Sequence, residues 1–262
     1  MKLLRAFIVF ISLLFITSPS WAANDWSGES GAVWNFDNDA TDSLGGNDLT
    51  EINTPAYDAG DKKQGTHSID FDSVSAEYCL IADGDLDAGF PCKSGVAEQS
   101  FTLLGWVKFE TLTDAALTKK WAAAGNRSFN TILISGELRF YISHDGTNSV
   151  HIDFGTSMTT GIWYHWACTY DAATNGMKIR IWDDNAGALL DVNETGTADG
   201  DCFSSDASLV IGNHTSAYQN GKSDEVVVLA GKALSDADID KARAGTYGAV
   251  GGAVLTPFWF FQ

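Results

Sequence analysis

The alternation of apolar and polar positions is most regular between Ile162 and Asp184, IWYHWACTYDAATNGMKIRIWDD. Trp163, His165, Ala167 and Thr169 alternate there with Tyr164, Trp166, Cys168 and Tyr170. After turn residues Asp171, Asn175 and Gly176, Met177, Ile179 and Ile181 alternate with Lys178, Arg180 and Trp182. Period-two alternation bounded by turn residues predicts two antiparallel strands with one buried face. The connection exceeds two residues, so a loose hairpin is expected rather than a tight primed turn.

Short apolar runs separated by Gly, Asp and Asn extend this pattern in both directions. They predict strands at Val33–Phe36, His67–Phe71, Glu77–Ala82, Phe101–Phe109 and Val150–Phe154, and a hairpin of Asn130–Ser135 with Leu138–Ser143 turning at Gly136. Leu189–Val192, Ser208–Gly212 and Asp224–Leu229 follow the central hairpin. So many short strands at close spacing imply an all-β antiparallel sandwich or jelly roll. One helix is expected near the C-terminus. Ser235 and Asp238 form a capping box, Ile239, Lys241 and Arg243 continue it for two or three turns, and Gly245 stops it.

The two ends differ from this pattern. Lys2 and Arg5 precede an apolar run from Ala6 to Ile16, and Ser20 and Ala22 give a small-x-small cleavage signal. Residues 1–22 therefore read as a secretory signal peptide cut after Ala22. The run is shorter than the roughly 20 residues needed to span a bilayer. The expected location is secreted, extracellular, periplasmic or at the cell surface, with no transmembrane span in the mature chain. Residues 23–244 read as one domain, since no repeat, linker or low-complexity run divides them. The tail, residues 245–262, ends in VLTPFWFFQ. Phe258, Trp259, Phe260 and Phe261 either cover the sandwich or dock to a partner or membrane interface.

Charge narrows the function classes. The chain carries −18 with His neutral, and removing Lys2 and Arg5 takes the mature protein near −20. Such a surface repels phosphate backbones and argues against nucleic acid. It suits solubility, or the binding of a hard cation by some of the carboxylates. Four cysteines in an exported chain suggest two disulfides, and spacing favours Cys79–Cys92 and Cys168–Cys202 among the three possible pairings. There is no Cys-x-x-Cys, which speaks against redox catalysis and thiolate zinc.

Several stretches resemble the laminin-G-like domains of the concanavalin A-like lectin/glucanase jelly rolls. FTLLGWVKF is similar to that family's F-T-φ-x-x-W-V-K strand, and GIWYHWACTYDAATNGMKIRIWDD to its W-H-H-φ-A-φ-T-Y-D strand, turn and following strand. SLVIGN with SDEVVVLAGKALSDADI resembles its closing segment. VWNFDNDATDSLGGNDLT with GTHSIDFDS resembles its opening. The resemblance runs in order over residues 31 to 244, departs at Asp183-Asp184-Asn185, and has no counterpart after Gly245. It implies a concanavalin A-like jelly roll with one short C-terminal helix.

The resemblance also implies a structural calcium where the chain's ends meet, with Asp42 and Asp224 at its position and Asn47 as a plausible addition. An Asp/Asn/Gly loop can supply the six to eight oxygens that calcium takes. The same residues could simply close turns. Asp83-x-Asp85-x-Asp87 is no EF-hand, because Ala88 and Ser94 stand where Gly and Glu are required. Neither the Glu-x-Asp-x-x-Glu spacing of glucanases on this fold nor a lyase signature occurs, although Arg139, Tyr141, His151 and Tyr164 could converge.

Sugar binding needs an aromatic face beside planar polar groups. Trp182 shares a strand face with Lys178 and Arg180 and is the stacking candidate, unless a flanking loop buries it. The reading is an exported, calcium-supported module that binds a carbohydrate or an extracellular surface component. A glycoside hydrolase or polysaccharide lyase on the same jelly roll, or an adhesion subunit docking through its tail, are the rivals.

Overall fold

The computed structural model of the protein describes residues 23–248. The signal segment and Phe258–Phe261 lie outside the described residues. In chain order the strands are Gly31–Trp34 (β1), Thr50–Ile52 (β2), Ala56–Asp58 (β3), Ser68–Phe71 (β4), Tyr78–Ile81 (β5), Phe101–Phe109 (β6), Ala115–Trp121 (β7), Arg127–Ile134 (β8) and Glu137–Ser143 (β9). Then come Ser149–Asp153 (β10), Trp163–Asp171 (β11), Gly176–Asp183 (β12), Ala188–Leu189 (β13), Glu194–Thr197 (β14), Leu209–Ile211 (β15), Asn213–His214 (β16), Ala217–Tyr218 (β17) and Gly221–Ala230 (β18). One helix, α1, spans Asp236–Arg243.

Two antiparallel sheets face each other. A nine-stranded sheet runs β13-β12-β11-β6-β18-β4-β3, with β1 also on β18 and β14 also on β12. A seven-stranded sheet runs β10-β9-β8-β7-β15-β5-β2. Between them lies the main core, which includes Trp34, Phe101, Phe129, Phe140, Trp166 and Tyr170. This is the expected antiparallel jelly-roll sandwich.

A second apolar cluster lies on the outer side of the nine-stranded sheet. Leu104, Ala167 and Val227 meet Ile239 and Ala242 of α1 there, together with Trp26 and Tyr247. The central hairpin therefore differs from expectation, because β11 from Trp163 to Tyr170 is buried on both faces. The helix begins where the sequence placed it. Ser235 Oγ accepts the Asp238 N–H at 3.2 Å, and Asp236 and Asp238 in the first turn oppose Lys241 and Arg243 in the last, as the helix dipole favours.

β7 is absent from the sequence pattern because Lys119 and Lys120 interrupt its alternation. The two lysines point opposite ways. Lys120 enters the interior, pairs with Asp83 at 2.8 Å and donates to the Ala207 carbonyl at 2.8 Å. Lys119 faces outward beside Asn130.

The expected disulfide pairs are also corrected. Cys92 Sγ lies 2.8 Å from Cys202 Sγ, while Cys79 and Cys168 are separate buried thiols on β5 and β11. Sequence spacing misleads here because each cysteine's neighbours are set by sheet packing.

Candidate functional site

The face proposed from sequence is already occupied. Lys178, Arg180 and Trp182 do share the outer face of β12, but α1 lies across it. Lys178 pairs with Asp236 at 2.5 Å. Arg180, only 8% exposed, pairs with Asp240 at 2.7 Å and donates to Asn193 at 3.0 Å. The Arg243 guanidinium sits 3.7 Å from the centroid of Trp182. These contacts dock a helix and place the Arg243 guanidinium over the half-buried Trp182 ring, on the side where a sugar would stack.

The outer face of the seven-stranded sheet is arranged differently. Register aligns His151, Tyr141, Asn130 and Lys119 in one row across β10, β9, β8 and β7. Side chains alternate across a strand, so Trp121 shares the face with Lys119. Tyr141 stacks on His151 with ring centroids 4.6 Å apart, and Trp121 meets Tyr141 edge-on at 5.9 Å. The Arg127 guanidinium lies 5.3 Å from the Trp121 ring. Between these groups is a cleft of 260 Å³ bounded by Trp121, Arg127, Asn130, Tyr141 and His214, with Ile132 and Ile134 beneath.

The polar chemistry of this cleft is incompletely satisfied. Asn130 is 3% exposed; its Nδ2 lies 3.4 Å from His214 Nδ1, and its buried Oδ1 has no partner. A buried amide oxygen without a donor costs free energy unless something supplies one. Arg127 Nη1 donates to the Thr147 carbonyl at 2.7 Å, but its Nε is buried and unpartnered. Burial pushes Lys119 down to about 8 and lowers His214, whose pKa the Lys119 charge depresses further. Arg139 and Asp153 form a 2.9 Å pair at the edge. Of the residues suggested as a converging set, Arg139, Tyr141 and His151 do meet on this face. Tyr164 does not, because it is buried in the inter-sheet core.

A second cleft, of 920 Å³, opens where β1 and β4 share one edge of β18. The ladder on β18 shifts at a bulge between Asp224 and Val227, with Glu225 in the left-handed region at φ 50. Lys63 and Gln64 donate backbone N–H groups to Asp224 Oδ2 at 2.6 and 3.0 Å, while Asp224 Oδ1 is buried without a partner. Burial, and then the charge of Asp37, raises Asp224 to about 7. Burial, then Asp224, raises Glu225 to about 8. Asp37 lies so close under Gly65 that a Cβ there would stand 2.3 Å from its oxygen.

Of the expected ligand set, Asp42 and Asn47 hydrogen-bond to each other, whereas Asp224 accepts from the Lys63 and Gln64 backbone. Asp42 Oδ1 accepts from the Val33 and Leu44 N–H groups, both at 2.9 Å, and its Oδ2 from the Asn47 backbone and side chain at 3.1 and 2.8 Å. That carboxylate closes a loop. Asp224 instead interacts with Asp37 and Glu225, whose mutual repulsion a hard cation would relieve. The oxygen donors suit calcium. Among the described residues no three acidic, histidine or cysteine side chains converge at ligand distance, so backbone carbonyls and water would complete such a site.

A laminin G family model, described as the concanavalin A-like lectin/glucanases superfamily, matches residues 83–240. The chain belongs to that superfamily. No curated protein sequence matches it. Among solved structures, domain 4 of the extracellular arabinanase AbnA of Geobacillus stearothermophilus, in complex with arabinotriose, is 22% identical with a TM-score of 0.56, covering 82% of this chain and 99% of that one. The receptor binding domain of botulinum neurotoxin D is 14% identical with a TM-score of 0.60, covering 84% of this chain and 53% of that one. The serotype D ligand binding domain in complex with N-acetylneuraminic acid is 12% identical with a TM-score of 0.58, covering 84% and 51%. This superfamily member thus spans about half the length of the toxin domains. At these identities the likeness establishes the fold. Among the described residues no helix is long and apolar enough to cross a membrane.

Proposed function

We propose that this protein is an exported, non-catalytic module that binds a carbohydrate on the outer face of its seven-stranded sheet. The observation that carries the reading is the Trp121–Tyr141 pair beside the unpartnered Asn130 amide oxygen in one open cleft. Aromatic faces take the C–H surface of a sugar, and a buried unsatisfied acceptor favours a ligand that brings a hydroxyl. Pockets for small molecules begin at about 300 Å³, so a cleft of 260 Å³ suits one ring of a longer chain. No Asp or Glu lines that cleft, which favours binding over acid–base hydrolysis. The solved relatives bound to arabinotriose and N-acetylneuraminic acid support the same direction.

Calcium forms part of this proposal. Asp224 would be its carboxylate ligand at the β18 bulge, completed by backbone carbonyls and water, with Asp37 and Glu225 adding negative charge nearby, and its charge would stabilise the junction of β1 with β4. The chemistry it supplies is structural.

The test is a glycan array with the mature protein, read in calcium and in chelator, with thermal melting alongside. Binding should be lost in Trp121→Ala and retained in Trp182→Ala, and calcium should raise Tm. Silence of the wild-type protein in both conditions would sink the carbohydrate reading. The meeting of Arg139, Tyr141 and His151 is the observation that favours a lyase, and release of unsaturated sugar ends from a bound polysaccharide would replace binding by cleavage.

A further inference from the structure

The protein as a whole is acidic, with 34 Asp and Glu against 16 Lys and Arg. Most of its basic side chains stand within ion-pair distance of a carboxylate, among them Lys63, Lys108, Lys120, Arg180 and Lys222. The cleft on the seven-stranded sheet reverses this local balance. Arg127 and Lys119 have no carboxylate within ion-pair distance among the described residues, and the cleft lining contains no acid. Two acids lie near it without lining it. Asp153 pairs with Arg139 at 2.9 Å, and Asp114, whose charge reaches His214 more weakly than that of Lys119, accepts the Ser135 N–H at 3.0 Å.

Lys119 is 6% exposed, so its ammonium loses hydration without gaining an ion pair. Folding alone gives no reason to keep a cation there, since burying an unmatched charge is unfavourable. Its neighbour Lys120 shows how the same fold treats a structural lysine, with Asp83 at 2.8 Å and the Ala207 carbonyl at 2.8 Å. Lys119 lies in register beside Asn130, and its charge acts on His214. Arg127, at the rim, keeps a buried Nε–H without an acceptor. A planar carboxylate matches an arginine fork and would satisfy that donor.

We propose that the sugar recognised in this cleft carries a carboxylate, making the ligand an acidic, uronate-type glycan. Arg127 takes the carboxylate at the rim while stacked against Trp121, Lys119 adds its charge from beneath, and Asn130 Oδ1 accepts a ring hydroxyl. This inference rests on the carbohydrate reading above and adds the charge of the ligand to it.

The experiment is titration calorimetry of the mature protein in calcium with three sets of probes. They are oligogalacturonates and oligomannuronates, the same oligosaccharides with their carboxyl groups reduced to alcohols, and sulfated galactan oligosaccharides. A uronate should bind at least tenfold more tightly than its reduced form, and affinity should fall with added salt. Arg127→Gln should lose about tenfold on the uronate and leave the reduced oligosaccharide unchanged. Lys119→Met, which removes an unmatched buried charge at constant volume, should melt no lower than wild type and still bind the uronate several-fold more weakly. That separates a ligand role from a folding role. Equal affinity for a uronate and its reduced form would overturn the acidic-ligand inference and leave the carbohydrate reading standing. Preference for the sulfated oligosaccharides would overturn the carboxylate in favour of sulfate. No binding to any probe, in a protein whose melting is intact, would overturn both.

Discussion

His165 shows how one position is governed by the sheet around it. Its Cα pairs with Trp182 on one side and Trp106 on the other, and its ring meets Trp106 edge-on at 5.1 Å. Burial, and then the charges of Arg243, Arg180 and Lys63, lower it from 6.5 to about 3. In the unfolded chain the imidazole gains a proton below about 6.5, whereas the folded one does not. Its contribution to stability is therefore complete above that pH and declines as pH falls towards 3, by at most about 1.4 kcal/mol per unit. Nuclear magnetic resonance at pH 5 should find His165 neutral, and a protonated ring at that pH would contradict its burial. The alternation placed His165 beside Trp163 and Ala167 in the sequence, but nothing there indicated that their face would be covered.

What covers it is α1, an element of eight residues, over Ala167, and the loop carrying Asp61 and Lys63 over Trp163 and Trp106. The helix was legible from its capping box, its dipole-matched ends and Gly245. Its landing place was not, because docking depends on pairs such as Arg180 with Asp240 and Lys178 with Asp236 that lie about 60 residues apart in the chain. Trp182 consequently reads as a stacking platform in sequence and as a support for Arg243 in the structure. Trp182→Ala should lower stability by about 2 kcal/mol through lost packing and cation–π contact, measured by thermal or urea denaturation. Affinity for any glycan should stay unchanged. The element that carries the candidate site, β7, was the harder one to find. Its two adjacent lysines break the pattern, since one satisfies its charge in the interior and the other lies on the outer face beside Asn130. Without that strand, Trp121 had no neighbours, and Tyr141 and His151 were legible only as a possible convergence.

At the scale of the molecule, Cys92 and Cys202 join segments separated by 110 residues. Oxidation would release two protons and two electrons to a thiol–disulfide oxidant and close a loop worth up to about 5 kcal/mol. Peptide mapping of oxidised protein without reduction should recover the Cys92–Cys202 link, with Cys79 and Cys168 free and alkylated only after unfolding. Recovery of Cys79–Cys92 or Cys168–Cys202 would refute that pairing. The same long-range assembly places Asp37 beside Asp224 and leaves Asp42 to close its own loop, although in sequence Asp42 and Asp37 are equally acidic loop residues. The sequence by itself determined the all-β class, β6, the central hairpin, the helix cap and membership of the concanavalin A-like superfamily, because strand alternation, turns and caps are local properties of a chain. Only the tertiary structure decided which sheet face is sealed by α1, which stays open around Trp121 and Tyr141, and which cysteines and carboxylates meet. Those outcomes depend on strand order and on distances between residues far apart in sequence, which no local pattern encodes.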